Sequence, residues 1–242
     1  MKITLSELDE MRFGVITAKM NFECDDNLNE VIDWCMEKNT KFLIVRISTE
    51  HINLVQEMER NDFMLTDTLV YFRNKKIEKT LINLPDGYSW RLANLNDADE
   101  VEILATQTFV GYKGHYHADQ NLAKKDCDLV YSSWAANSCK NKILADAVIL
   151  ILKGQEIAAF ATLKKVEDYM CEGVLFGVAP NHQGKNLYSS LMDLAQQWAL
   201  NNSFCQMSVS TQITNLAVQK VWCRQGFEPH KSFYTLHKWF SQ

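Results

Sequence analysis

The sequence predicts an α/β fold with a mixed sheet, built from a smaller N-terminal domain and a larger C-terminal one. Apolar runs of strand length alternate with amphipathic helical segments along nearly the whole chain. A charged stretch at 75–87 interrupts this alternation and ends in Leu-Pro-Asp-Gly, which is typical of a turn. We therefore expect a small α/β domain at 1–80 and a second domain at 86–242.

The N-terminal segment has a strand–helix–strand–helix–strand order. Apolar, β-rich runs at 13–19, 42–47 and 64–73 predict the three strands. Apolar residues at helical spacing predict helices at 27–38 and 51–61. This order requires parallel or mixed strand pairing, with the helices covering the sheet.

The C-terminal segment follows the order β-α-α-β-β-β-α-β-α-β. Apolar periodicity and turn residues predict strands at 88–95, 147–152, 156–165, 170–178, 204–211 and 227–240. The same criteria predict helices at 97–110, 124–139, 186–201 and 215–225. A polar, aromatic loop at 111–120 separates the first two helices.

Composition restricts the function. The formal net charge of -5 disfavours nucleic acid as the main partner. Seven cysteines without a CxxC pair fit neither a disulfide framework nor a zinc site, so we expect reduced thiols, no metal and a cytoplasmic protein. The N-terminus lacks the apolar segment of a signal peptide, and no apolar run approaches the roughly 18 residues of a membrane span.

The turn after the strand at 170–178 favours anion binding. Pro180 and Gly184 separate that strand from a helix, whose first N–H groups and dipole attract phosphate. Gly184 allows close approach of the backbone, and Lys185 adds positive charge. Many α/β proteins contain a similar turn without a ligand, so this motif alone leaves both interpretations open.

Together, these elements resemble the GNAT superfamily of N-acetyltransferases. In that family the central strand ends in a V-x-P turn, followed by a Q/R-x-x-G-x-G/A loop that holds the coenzyme A pyrophosphate. The chain has Val-Ala-Pro at 178–180 and Gln183 at the start of the loop. Asn186 and Tyr188 stand where the family has its two small residues, so the loop differs in detail.

The second family motif, N-x6-Y-x3-G-F, lies on the last helix. Asn215 and the Gly-Phe pair at 226–227 keep the spacing, and Trp222 stands in place of the tyrosine. In the family, that tyrosine often protonates the departing thiolate, and an indole N–H has no comparable acidity. A thiol pKa near 8.5 nevertheless makes the coenzyme A thiolate an acceptable leaving group, so the replacement does not exclude catalysis.

A narrower resemblance is to TDP-fucosamine N-acetyltransferase and related nucleotide-amino-sugar acyltransferases. It is carried by the Gly-His-Tyr-His-Ala-Asp segment at 114–119, by the small N-terminal domain, and by Thr-Gln at 211–212 ahead of Asn215. It covers nearly the whole chain. The resemblance implies the acceptor contacts His115, Tyr116, His117, Asp119, Tyr131, Trp134 and Gln212.

The resemblance implies transfer of an acetyl or 3-hydroxybutyryl group from acyl-CoA to the amino group of a dTDP-linked amino-dideoxy sugar. The amine would attack directly, without a covalent enzyme intermediate, in the biosynthesis of a surface polysaccharide such as O-antigen. A homodimer is a further expectation. The implied coenzyme A contacts are Phe176, Gly177, Val178, Gln183, Gly184, Lys185, Asn186, Leu187, Tyr188, Asn215 and Trp222.

Three residues are candidates for the chemistry itself. Glu172 on the central strand would take the amine proton, although a carboxylate there is equally consistent with a solvated strand residue. His117 has a side chain suited to base catalysis, whereas the resemblance favours substrate contact for its loop. Asn215 would contact the pantetheine arm near the sulfur. Two other functions remain open: acyl transfer to a different small-molecule amine, and non-catalytic sensing of acyl-CoA.

Overall fold

The computed structural model describes residues 1–79 and 81–240 of the chain. The strands in this part are β1 (Ile3–Leu5), β2 (Thr17–Phe22), β3 (Phe42–Ser48), β4 (Met64–Asn74), β5 (Tyr88–Leu92), β6 (Ala147–Lys153), β7 (Glu156–Glu167), β8 (Met170–Val178), β9 (Gln206–Gln212) and β10 (Glu228–Trp239). The α-helices are α1 (Glu7–Phe13), α2 (Leu28–Glu37), α3 (Ile52–Arg60), α4 (Ala98–Thr108), α5 (Lys124–Lys140), α6 (Leu187–Asn201) and α7 (Leu216–Arg224).

All these strands join in one mixed sheet, in the order β1-β2-β3-β10-β4-β9-β8-β7-β6-β5. The last strand, β10, lies between β3 and β4 and pairs antiparallel with both. Two pairs, β2 with β3 and β8 with β9, are parallel. The predicted mixed α/β fold is therefore confirmed. The boundary expected near residues 80–86 falls in the connection between β4 and β5, and the sheet continues across it.

The strand predicted at 13–19 is wrong in its first half. Phe13 ends helix α1, and β2 begins only at Thr17. Gly14 closes the helix in the left-handed region, at φ 69°, a conformation that glycine adopts without a steric penalty. Ser6 precedes a first turn with three acidic residues, and Gly14 follows the last residue of the helix. Both patterns are typical of helix ends, so the signals for this helix were present in the sequence.

Helices cover both faces of the sheet. In β6, Ile149 and Ile151 pack into the cluster that contains α6, whereas Val148 and Leu150 pack on the opposite face with α4 and α5. A third cluster joins α2 and α3 to β2 and β3. Since both faces are covered, the central strands read as continuous apolar runs rather than alternating ones.

The parallel pair β8 and β9 separates before either strand ends. Pairing runs only from Met170↔Gln206 to Gly173↔Val209. On its other side, β8 shifts register against β7 near Leu175 and stays paired up to Val178. The second half of β8 therefore has one edge without a strand partner, and a gap opens between β8 and β9.

Shortening the side chain of Phe42 should destabilise the protein by about 3–5 kcal/mol. Phe42 is completely buried on β3. Its ring stacks on Trp239 of β10 at 4.6 Å between centroids and meets His237 edge-on at 4.8 Å. We expect Phe42→Ala to lower the free energy of unfolding by this amount in urea denaturation, while Ile143→Ala, at an exposed position, leaves it unchanged. A loss below about 1 kcal/mol would contradict this packing.

Candidate active site

A cleft of about 750 Å³ lies over the centre of the sheet. One wall comes from α5 and the connection before it, with Tyr112, Tyr116, Tyr131 and Trp134. The floor comes from adjacent strands that belong to both halves of the chain. These strands contribute Lys19, Ile44, Thr235, Leu69, Ser210 and Phe176. The position of β10 between β3 and β4 is what makes this floor continuous.

The gap between β8 and β9 opens next to the loop that enters α6. Gly184 (φ 76°) and Asn186 (φ 62°) both adopt the left-handed conformation in this loop. The N–H groups of residues 184–189 find no acceptor within the part of the chain that the structure describes. Gln183 donates from Nε2 to the carbonyl of Val178 at 3.3 Å and ties the loop to the end of β8. Free N–H groups at a helix N-terminus favour an anion.

Three aromatic side chains, Phe176, Tyr188 and Trp222, occupy the cleft beside the open edge of β8. The rings of Phe176 and Tyr188 lie 5.8 Å apart between centroids. Trp222 donates its indole N–H to the phenol oxygen of Tyr188 at 3.1 Å. Burial raises the pKa of Tyr188, so the phenol keeps its proton at neutral pH. A phenol O–H is thus present in the cleft, contributed by α6 rather than by residue 222.

Glu172 faces the cleft from β8, and its surroundings contain both signs of charge. Burial raises the pKa of its carboxyl, and Arg46 and Lys231 partly offset that effect. Arg46, on β3, also lines the cleft and has no ion-pair partner among the described side chains. Asp67 of β4 completes this group, and burial raises its pKa as well.

A chain of three polar side chains connects the cleft to the buried part of strand β10. Nδ1 of His115 lies 2.8 Å from Nε2 of His237, and Nδ1 of His237 lies 2.7 Å from Oδ2 of Asp119. Trp239 donates its indole N–H to the same carboxylate oxygen at 2.8 Å. Burial alone would raise the pKa of Asp119, but hydrogen bonds from His237, Trp239 and the backbone N–H of Asn121 lower it below its usual value.

A second network holds the turn at residues 115–118 to the N-terminal helix. The buried carboxylate of Asp9 accepts hydrogen bonds from Ser6, from Arg12 and, at 2.9 Å, from the phenol of Tyr116. Lys19 forms an ion pair with it. Burial would raise the pKa of Asp9, yet Lys19, Ser6 and Tyr116 lower it. The N-terminal half therefore helps to position the turn that carries His115.

The structure brings together most of the residues predicted from sequence. Ten of them line the cleft: His115, Tyr116, Tyr131, Trp134, Glu172, Phe176, Tyr188, Gln212, Asn215 and Trp222. The loop residues Gln183, Gly184, Lys185, Asn186 and Leu187 lie at the start of α6, after Gly177 and Val178 of β8.

Two of the predicted acceptor contacts, His117 and Asp119, do not line the cleft. Nε2 of His117 lies 3.1 Å from Oδ1 of Asp128, and its Nδ1 accepts from the N–H of Gly114 at 3.3 Å, so the ring is turned toward α5. The side chain of Asp119 is completely buried beneath His237, and direct contact with a sugar would require it to be uncovered.

Sequence reasoning missed the contributions of the N-terminal half. Lys19, Arg46 and Asp67 line the cleft, whereas the sequence around each of them predicts only a strand. One clue was present: β3 reads Phe-Leu-Ile-Val-Arg-Ile-Ser, and a lone arginine in a buried strand is unusual without a function or partner. His237 gave no such clue, because β10 shows no sequence feature that connects it to the loop at 111–120.

Comparison with known proteins identifies the family. The acetyltransferase (GNAT) family profile matches residues 105–227, just over half of the chain. The chain belongs to the GNAT family. Members use acetyl-CoA as a co-substrate, so the chain is an acyl-CoA-dependent transferase.

Individual relatives are distant. The chain is 21% identical to the spore coat polysaccharide biosynthesis protein SpsD of Bacillus subtilis over 205 residues, which are 83% of this chain and 67% of that protein. Among solved structures, a GCN5-related N-acetyltransferase from Sphaerobacter thermophilus has a TM-score of 0.67 at 8% identity and covers 98% of this chain and 76% of that one.

A second solved structure extends this likeness. A tandem GNAT protein from the clavulanic acid biosynthesis pathway has a TM-score of 0.63 at 9% identity, covering 93% of this chain and 76% of its own. At such identities these structures show the fold alone. Across residues 1–79 and 81–240, no helix is long and apolar enough to cross a membrane, and no three His, Cys, Asp or Glu side chains are grouped to hold a metal ion.

Acidification should destabilise the protein through His115 and His237. Burial lowers the pKa of both side chains, so the folded state keeps them neutral. The unfolded chain takes up protons below about pH 6.5, and the free energy of unfolding then falls as the pH drops. We expect about 1 kcal/mol per histidine between pH 6.5 and 5.5, measured by urea denaturation. An equal pH dependence in the double variant His115→Gln/His237→Gln would contradict this assignment.

Proposed function

We propose that the protein transfers an acyl group, acetyl or 3-hydroxybutyryl, from acyl-CoA to the amino group of a dTDP-linked amino-dideoxy sugar. The product would serve the biosynthesis of a surface polysaccharide. One observation carries the proposal: a single cleft runs from the gap between β8 and β9 to a surface of cationic and aromatic side chains. The donor and the acceptor would meet where these two regions join.

The donor end has the features that a thioester with a pantetheine arm and a pyrophosphate requires. The unpaired edge of β8 offers backbone groups to the amides of the arm, as an added strand would. The free N–H groups of residues 184–189 offer a place for the pyrophosphate. Asn215 lines the cleft at the start of α7 and would contact the arm near the sulfur.

The acceptor end favours an anionic, ring-containing substrate. Lys2, Arg12, Lys19 and Arg46 all line it, and each comes from the N-terminal half. Arginine binds phosphate oxygens in a bidentate manner, and lysine adds charge. Tyr131 and Trp134 offer aromatic faces on which a base or a sugar ring can stack. A nucleoside diphosphate sugar combines these chemical features.

The distant relative supports the same direction. SpsD is named as a protein of spore coat polysaccharide biosynthesis. An acceptor from polysaccharide biosynthesis is therefore consistent with both the relative and the charges of the cleft. A different small-molecule amine would make less use of the cations from the N-terminal half, of which Arg12 and Lys19 are paired with Asp9, whereas Lys2 and Arg46 are not.

In the proposed reaction, the neutral amine attacks the thioester carbonyl, and the coenzyme A thiolate leaves. Trp222 cannot protonate that thiolate, because an indole N–H is not acidic. Tyr188 lies within hydrogen-bonding distance of Trp222 and retains an O–H. We therefore propose that the Tyr188 phenol, rather than residue 222, donates a hydrogen bond that stabilises the departing thiolate.

Thiol release tests the proposed function. Purified protein would be assayed with acetyl-CoA and 3-hydroxybutyryl-CoA against dTDP-linked 3-amino and 4-amino dideoxy sugars. We expect fast release that requires one particular amino sugar, and the pair of substrates that reacts would name both specificities. Release with unrelated amines but with no sugar would contradict the acceptor. Binding of acyl-CoA without any release would instead favour a sensor.

Arg46 should control affinity for the acceptor. We expect Arg46→Gln to raise KM for the nucleotide sugar at least about tenfold, because a hydrogen bond to a charged group contributes about 1.5 kcal/mol or more. KM for acyl-CoA should stay within about twofold. The matched control is Arg60→Gln, at an exposed position on α3 outside the cleft. An unchanged acceptor KM, or an equal rise for both substrates, would contradict this role.

A further inference from the structure

We propose that His115 accepts the proton of the attacking amine, and that His237 and Asp119 position it and take up the resulting charge. The proposal deepens the proposed function and rests on acyl transfer to an amine. It assigns the base to a residue for which the sequence favours substrate contact over catalysis. His237 would be a positioning residue, and Asp119 would act through it.

The geometry forms a continuous path from the cleft into the protein. His115 lines the cleft. Behind it, the side chains of His237 and Asp119 are both completely buried. The two joining distances, 2.8 Å and 2.7 Å, are those of good hydrogen bonds. Solvent exposure therefore decreases from His115 to Asp119, and of the two imidazoles only that of His115 can contact a substrate.

The buried carboxylate determines the protonation of both imidazoles. Asp119 accepts hydrogen bonds only, so Nδ1 of His237 must carry a proton. In a neutral ring, Nε2 of His237 then has a lone pair and must accept from Nδ1 of His115. This leaves Nε2 of His115 without a proton, and among the described residues it has no hydrogen-bond partner. A basic nitrogen is thereby available to the cleft.

The proton transfer balances without another reactant. Nε2 of His115 takes one proton from the acceptor ammonium, and the neutral amine that results attacks the thioester carbonyl. The Nδ1 proton of His115 passes to Nε2 of His237, which becomes an imidazolium paired with the carboxylate of Asp119. His115 is left neutral, and the new charge forms beside a carboxylate instead of in the cleft. Reversal of the two transfers returns the proton to the cleft and restores the starting state.

The surroundings keep His115 neutral before the reaction. Burial lowers its pKa well below the usual value, and neighbouring cations lower it further. The titratable or charged groups that act on the pair, or on Tyr116 packed against His115, are Asp9, Arg12, Lys19, Arg46, Tyr116, His117, Asp119 and Tyr131. Asp119 contacts His237 directly and partly offsets the effect of burial on that ring. The positive charge formed in the reaction is therefore more stable on His237 than on His115.

Glu172, a second candidate base that lines the cleft, differs from His115 because no hydrogen bond from the described side chains fixes its orientation. Its carboxylate faces the cleft, but no described side chain donates a hydrogen bond that would orient it. His115 has a fixed ring and a defined tautomer. For proton transfer, orientation matters as much as proton affinity, so the structure favours His115.

The pH dependence of His115→Gln tests the proposal. Wild type should work on an acceptor that is still protonated in solution, whereas the variant must wait for the neutral amine. We expect a loss in kcat/KM of about a hundredfold or more at pH 6 to 7. This loss should shrink as the pH approaches the pKa of the acceptor amine. A loss that is constant with pH would indicate a structural role and overturn the proposal.

Two further measurements separate positioning from folding. Exogenous imidazole should restore part of the activity of His115→Ala, and it should do nothing for Asp119→Asn, which retains His115. In wild type, nitrogen NMR of the histidines at pH 7 should show His115 protonated on Nδ1 and not on Nε2. The opposite tautomer would overturn the proposal whether or not an acceptor is found. His230→Gln, at an exposed position on β10, the strand that carries His237, is the control and should behave as wild type.

These outcomes separate the two proposals. Turnover with an amine other than an amino sugar, lost in His115→Gln at low pH, would contradict the sugar acceptor and support the base. Turnover with the amino sugar that is unaffected by His115→Gln would support the sugar acceptor and contradict His115 as the base. Absence of turnover with every amine would overturn both.

Discussion

The pairing of β10 with β3 and β4 is the interaction on which the rest of the structure depends. The last strand of the chain lies between two strands of the first 74 residues, in an antiparallel arrangement on both sides. This pairing connects β3 to β4 within the sheet and makes the floor of the cleft continuous. It also carries His237 and Trp239 to the carboxylate of Asp119. A strand that completes the fold therefore also completes the polar chain behind the cleft.

Burial of so many polar groups in one region has a cost, and the networks offset it. A buried carboxylate is tolerated when several donors surround it. Asp119 has three such donors, and Asp9 has partners on its own helix, on β2 and on the turn at 115–118. These partners come from distant parts of the chain. The turn that holds His115 is consequently fixed from two sides, by Tyr116 on one and by His237 on the other.

Much of the fold could be predicted because local periodicity and core packing agree. The bounds of β8 were predicted to the residue, and α6 begins one residue after its predicted start. The site was predictable where a motif is continuous in sequence, as in the loop from Gln183 to Tyr188. It was not predictable where the fold joins remote segments: Arg46 and His237 reach the cleft region only through the order of strands in the sheet. Side-chain period gives the face of a strand but not its neighbour.

The aromatic residues beside β8 suggest a way in which the proposed chemistry could be kept although the motif has changed. A small residue in the loop would leave room for the ligand, and a tyrosine at 222 would supply a proton; the chain has Tyr188 and Trp222 instead. The indole donates to the phenol at 3.1 Å, which orients the phenol oxygen and leaves its proton free. Under the proposed function, the two replacements would compensate each other: the O–H donor to the thiolate would move from α7 to α6, and the indole would support it. Such an exchange would favour both changes together, because Trp222 without Tyr188 would leave no O–H donor there, and Tyr188 without Trp222 would lose the hydrogen bond that orients its phenol oxygen.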